Sequence, residues 1–157
     1  MRLTSFLGFM LTTLPFGIAR AQTDDSRVTL LSRHEVFDAF ARGRPLIEVG
    51  DYKIHASRRD SAGVAEIHTR DTDIVYVLKG SATLVTGGTP VSIKSRGSEE
   101  LRGSSIDGGD ISRLTAGDVV VIPNGVPHWF SEVKGPFLYY VVKVRQAARP
   151  MAIGAAR

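Results

Sequence analysis

The chain has 157 residues, 43% of them hydrophobic and 23% charged, which supports one domain with a real core. Its formal charge is +4, but the first 21 residues hold Arg2 and Arg20 and no acid. The remainder is close to neutral with its charges spread out, which argues against a nucleic-acid partner. With no cysteine in the chain, disulfides, thiolate ligands and thiol nucleophiles are excluded.

At the N-terminus, Arg2 precedes a largely apolar, uncharged stretch from Leu3 to Ile18. Ala19-Arg20-Ala21 then puts small residues at the positions that a signal peptidase reads. The pattern predicts a signal peptide over 1–21, cleavage before Gln22, and a secreted or periplasmic protein. A membrane anchor is the competing reading, but Pro15 and Gly17 break a run already too short to span. No membrane contact is therefore expected after cleavage. Residues 22–30 read as a flexible start of the mature chain.

Ser32-Arg33-His34-Glu35 has the form of a capping box, in which the Ser32 hydroxyl and the Glu35 carboxylate each satisfy the other's backbone N–H. Leu31 and Val36 are spaced as a hydrophobic staple, and Gly43 is a natural stop. The spacing predicts a helix over 33–42 that packs Phe37 and Phe40 against a sheet. From Leu46 onward the chain reads as all-β. Tyr52 to Ser57 alternates, Arg58 to Ser61 is a polar turn, and Val64 to His68 is a further strand. The run Asp73 to Lys79 and the run Ala82 to Thr86 read as a hairpin turned at Gly80-Ser81. Residues 95–109 are rich in Gly, Ser and charge and read as a surface excursion, either shaping a site entrance or merely tolerated. Four more strands, over 110–114, 119–122, 127–133 and 137–144, are separated by Gly or Pro, which argues for a sandwich or barrel. The stretch 146–157 has no pattern and reads as a loose tail, leaving one domain over 31–145.

Glu66 and His68 stand two apart in a strand and therefore share a face. Asp73 follows after a short polar turn, and Gly117, Pro123, Gly125 and His128 come about fifty residues later. These two segments resemble the paired motifs of the cupin superfamily, G-x5-H-x-H-x3,4-E-x6-G and G-x5-P-x-G-x2-H-x3-N. Glu66 replaces the first His, Asp73 replaces the Glu, Gly80 is in register, and Glu132 stands where the second motif has Asn. The resemblance covers residues 50 to 144 and implies a cupin-type jelly-roll β-barrel, preceded by the short helix and the signal peptide. It also implies pairing of two copies through the outer face of the barrel, hence a homodimer.

By the same resemblance Glu66, His68, Asp73 and His128 are the candidate ligands of a divalent metal ion, with Zn, Mn, Fe and Ni as candidates. Two imidazoles and two carboxylates would neutralise a divalent charge. Asp73 is one methylene shorter than the Glu it replaces, so it either ligates directly or sits behind the ligands, against them or the substrate. The competing reading is a buried hydrogen-bonded network without metal, in which one carboxylate is protonated or paired with a charged His. Strand parity puts His128 and Phe130 on one face and Trp129 on the other, and predicts a mainly apolar cavity with polar groups at one end. His55 reads as a satisfied core residue or, if it faces inward, as a proton shuttle and the candidate catalytic group. Arg70, in the loop before Asp73, is either an anion ligand near the cavity mouth or a solvated arginine. Two function classes follow: an oxygenase, isomerase or lyase acting on a small polar molecule, or a module that binds a small ligand or ion without turnover.

Overall fold

This computed structural model describes residues 27–149. The expected signal peptide, residues 22–26 and the tail from residue 150 lie outside the described residues. Helix α1 (Arg33–Arg42) is followed by β1 (Pro45–Glu48), β2 (Tyr52–Arg59), β3 (Ala65–His68) and β4 (Asp71–Thr86). Then come β5 (Thr89–Val91), β6 (Lys94–Ser95), β7 (Glu100–Gly103), β8 (Ser105–Asp107), β9 (Asp110–Thr115), β10 (Val119–Ile122) and β11 (His128–Arg145). Among the described residues no helix is long and apolar enough to cross a membrane.

The helix begins at the expected capping box. Glu35 N–H donates to Ser32 Oγ at 3.3 Å, and Ser32 N–H donates to the Glu35 carboxylate at 2.8 Å. Gly43 closes it in the left-handed conformation that an L side chain adopts at a cost. Its buried face differs from the expected one. Val36, Ala39 and Phe40 point toward the sheet, and Phe40 meets Tyr140 edge-on at 5.0 Å. Phe37 is 60% exposed, with the Arg33 guanidinium over its ring. A turn of 3.6 residues puts positions 36, 39 and 40 on one stripe and carries 37 off it.

Two long antiparallel strands, β4 and β11, run through both faces of the barrel and pair along most of their length. Their first-half and second-half partners differ. Residues 73–76 of β4 pair with β10, and residues 81–86 pair with β9. The expected hairpin at Gly80 is therefore absent, because Gly80 is a corner inside one continuous strand. Its φ is 80°, and a Cβ there would stand 2.6 Å from the Pro136 carbonyl. Opposite it, β11 bulges through Lys134 to Leu138. Bulges and glycine corners are how a strand passes from one sheet to the other. The two segments expected over 127–133 and 137–144 are likewise one strand.

One sheet face then carries β10, β4, β11, β2 and β1, and the other carries β9, the remaining halves of β4 and β11, then β3, β7 and β6. Between them lies a core built on Val75, Val77, Leu84, Phe130, Phe137 and Tyr139. Residues 95–109 contain paired strands. β7 hydrogen-bonds along β3, and β8 pairs with β5. Ile106 of β8 packs with Ala65, Val85 and Trp129 in a second cluster. On the face of β3 opposite Glu66 and His68, Ala65 is thus covered by Ile106 of this insertion.

Candidate metal centre

Strand β3 positions the first two polar groups. Ala65 and Ile67 are buried on its outer side, so alternation turns Glu66 and His68 into the barrel. His128, at the start of β11, is the direct cross-strand partner of Glu66, and Arg102 of β7 is the partner on the other side. Gly125 N–H donates to the His68 carbonyl at 2.8 Å, which fastens the loop before His128 to β3. Buried Asn124 holds the same loop by donating to the carbonyls of Thr69 and Ala147 at 3.1 and 2.8 Å.

Ligating atoms of Glu66, His68 and His128 all lie within 4.8 Å of one another. The ring orientations decide what these atoms can do. His128 Nδ1 faces the Val126 carbonyl at 3.0 Å. A carbonyl only accepts, so Nδ1 carries the hydrogen and Nε2 keeps its lone pair. His68 Nδ1 lies 3.3 Å from Asp73 Oδ2, and Lys143 Nζ stands 3.3 Å from both nitrogens of the same ring, so His68 lies between a carboxylate and an ammonium. Burial, reinforced by the charge of His68, pushes the His128 pKa down and keeps its imidazole neutral. Two imidazoles, one with its Nδ1 against a backbone carbonyl and the other with its Nδ1 against a carboxylate, together with the Glu66 carboxylate are the donor set of a divalent metal site with open positions. The residues present therefore fit such an ion.

Asp73 faces inward with Val75 and Val77 but is engaged elsewhere. Both its oxygens accept from Lys143 Nζ, at 2.7 and 2.8 Å. Lys143 is its cross-strand neighbour on β11, and its Nζ is also 3.3 Å from each ring nitrogen of His68. Burial alone would raise the Asp73 pKa, but the His68 hydrogen bond and the Lys143 charge hold it well below the usual carboxylate range. Asp73 thus stands behind His68, orienting its ring.

These groups line a cavity of about 370 Å³. Contrary to the expected apolar lining, charged residues dominate it: besides the acids and histidines, Arg59, Glu100, Arg102 and Lys143 reach it. The reason is parity. On β2, His55, Ser57 and Arg59 all face inward, and on β11 the alternation Phe137, Tyr139, Val141 continues to Lys143. A lysine at the next inward position after three buried residues was a legible anomaly that sequence reading passed over. Arg102 and Glu100 came from the insertion, which lacked any period. His55 is inward as its proton-shuttle reading requires, with its Nε2 3.1 Å from Glu48 Oε1, and burial lowers its pKa. Arg70 does not line the cavity; its Nε lies 3.9 Å from Glu99. Trp129 points outward and donates to the Gly63 carbonyl at 2.8 Å, while Phe130 points in. Glu132, in the place of the motif Asn, is outside the cavity and accepts from the Thr83 hydroxyl at 3.1 Å.

Residues 53–150 match the sequence model of the family described as Cupin. The chain is a cupin. Solved structures agree on the fold. BH2720 from Bacillus halodurans is 13% identical with a TM-score of 0.53, over 82% of this cupin and 89% of that chain. An uncharacterised conserved protein with a double-stranded β-helix domain from Klebsiella pneumoniae is 17% identical, TM-score 0.50, over 78% and 95%. Hydroquinone 1,2-dioxygenase from Sphingomonas sp. TTNP3, with 4-hydroxybenzoate bound, is 16% identical, TM-score 0.51, over 74% and 75%. No curated protein matches the chain.

Proposed function

We propose that this cupin is an exported metalloprotein that holds one divalent ion through Glu66, His68 and His128 and acts on a small polar molecule in the barrel. The observation that carries the reading is the trio itself: ligating atoms of Glu66, His68 and His128 lie within 4.8 Å of one another, and the His128 Nδ1 is engaged at the Val126 carbonyl, which leaves its Nε2 lone pair free. When bound, the ion would supply Lewis acidity or, if redox-active, oxygen activation for an oxygenase, isomerase or lyase. Asp73 orients His68, and Lys143 neutralises Asp73 in turn. His55 lines the cavity and has an exposed carboxylate partner in Glu48, so it is the residue placed to carry a proton between cavity and solvent. The exposed apolar side chains of Tyr76, Leu78, Val119 and Val121, on adjacent strands, support self-association of two copies.

Metal analysis by plasma mass spectrometry on protein purified without chelator or affinity metal tests the reading. Near-stoichiometric metal in the wild type, lost in both His128→Ala and Glu66→Ala, is expected. A second reading, a metal-free ligand-binding barrel, is favoured by one feature: Lys143 already supplies a cation to Asp73 and His68. Wild-type protein that neither retains nor takes up metal would decide for it.

A further inference from the structure

The charges lining the cavity balance before any ion is added. Glu66, Asp73 and Glu100 oppose Arg59, Arg102 and Lys143. With imidazoles neutral, as ligation requires, a divalent ion held as above leaves two positive charges uncompensated in a partly buried space. Two of the three cations are already committed: Lys143 to both oxygens of Asp73, and Arg102 through Nε to Glu100 at 2.6 Å.

Arg59 is different. Its Nε donates to the hydroxyl of buried Tyr139 at 3.0 Å, and its guanidinium lies over the Phe130 ring, 5.0 Å from the centroid. A side chain at residue 63 would collide with Arg59 Nη1, so Gly63 leaves the space it occupies. The plane is thereby held by Tyr139 and Phe130, with room left for it at Gly63. Yet among the described residues its terminal nitrogens donate to no hydrogen bond, and the Glu66 carboxylate is 4.0 Å from Nη2. A fixed guanidinium with free terminal N–H groups at the wall of a cavity is shaped for a planar oxyanion, which it can grip through two parallel hydrogen bonds.

We propose that the ligand of this barrel is a small organic carboxylate and that Arg59 is its specificity-determining residue, gripping the carboxylate beside the Glu66, His68 and His128 trio. The assignment rests on the metal reading for the excess positive charge, and on Arg59 itself for the place of the anion.

The test uses Trp129, the single tryptophan of the chain, whose indole is bonded to Gly63 beside Arg59. Its fluorescence is titrated in the full chain with glycolate, with uncharged glycolamide and with inorganic phosphate, each with and without zinc(II). Calorimetry follows the same additions, and zinc content is measured in parallel. Saturable glycolate binding that glycolamide does not reproduce is expected in the wild type. Arg59→Lys keeps the charge and loses the fork, and Arg59→Met keeps the bulk over Phe130. Both should bind glycolate at least about tenfold more weakly with zinc content unchanged. Glycolate and glycolamide binding alike, either variant binding glycolate as the wild type does, or no binding by either method would each overturn the proposal. Binding of phosphate alone would overturn the carboxylate assignment. A wild type without zinc would instead sink the metal reading, while glycolate binding that is lost in Arg59→Met would still support the role of Arg59.

Discussion

Lys143→Met should shift two properties in opposite directions. In the metal-free protein, Lys143 Nζ sits 2.7 and 2.8 Å from the Asp73 oxygens, with the two side chains only 13% and 7% exposed. Removing one member of so buried a pair leaves an uncompensated charge and costs about 3–5 kcal/mol. His68 still contacts Asp73, which places the loss near the lower limit, about 3 kcal/mol. At a urea dependence of about 2 kcal/mol per molar, the midpoint measured in chelator should fall by roughly 1.5 M. Metal affinity should rise, because the variant removes a positive charge 3.3 Å from both ring nitrogens of a ligand and leaves Asp73 negative. Even at an effective dielectric of ~20, a unit charge touching a ligand ring repels a divalent ion by several kcal/mol, so a gain of at least about tenfold is expected by competition against a chromophoric chelator. Adding Asp73→Asn should recover most of the lost stability in the double variant. An unmoved urea midpoint, or a variant weakened in both stability and metal binding, would refute the reasoning, since Lys143 would then act as scaffold alone.

Acid titration of the metal-free protein should show two regimes. The His128 pKa is pushed down by burial, so the folded state takes up fewer protons than the unfolded chain as pH falls below about 6.5, and stability should decline from that point. Asp73, whose pKa is depressed, contributes stability that is full above about pH 4 and lost below it, so Asp73→Asn should flatten the acid limb of stability measured against pH. Gly80→Ala forces a Cβ 2.6 Å from the Pro136 carbonyl at a φ of 80°, and a loss of at least about 2 kcal/mol in urea unfolding is expected. Ile106→Ala should cost about 2–4 kcal/mol by the same assay, because Ile106 covers the outer face of β3 with Val85 and Trp129.

Local chemistry was readable in order of its range. The capping box of α1 needs only residues 32–35, and it formed as written. The inward pairing of Glu66 with His68 and the separation of His128 from Trp129 follow from the two-residue repeat of a strand, and both appear in the structure. Phe37 was misplaced because three helical turns leave the choice of buried stripe to the surface they meet. Gly80 was misread because a glycine with positive φ serves equally as a hairpin turn and as a corner, and only the pairing partners of its two flanks tell these apart.

What the sequence determined by itself is the set of groups able to ligate an ion and the barrel that would hold them, since motif spacing and strand alternation are properties of a single chain. Which of those groups meet was decided by the tertiary structure. Asp73 and Lys143 are seventy residues apart and become neighbours only because β4 and β11 align in one register. That register places an ammonium against the carboxylate, turns Asp73 from candidate ligand into the partner of His68, and makes the cavity charged. Arg59 likewise has its guanidinium placed by Tyr139, Phe130 and Gly63, which reach it from other segments. Charge pairing across strands depends on register, and register is set by the whole sheet.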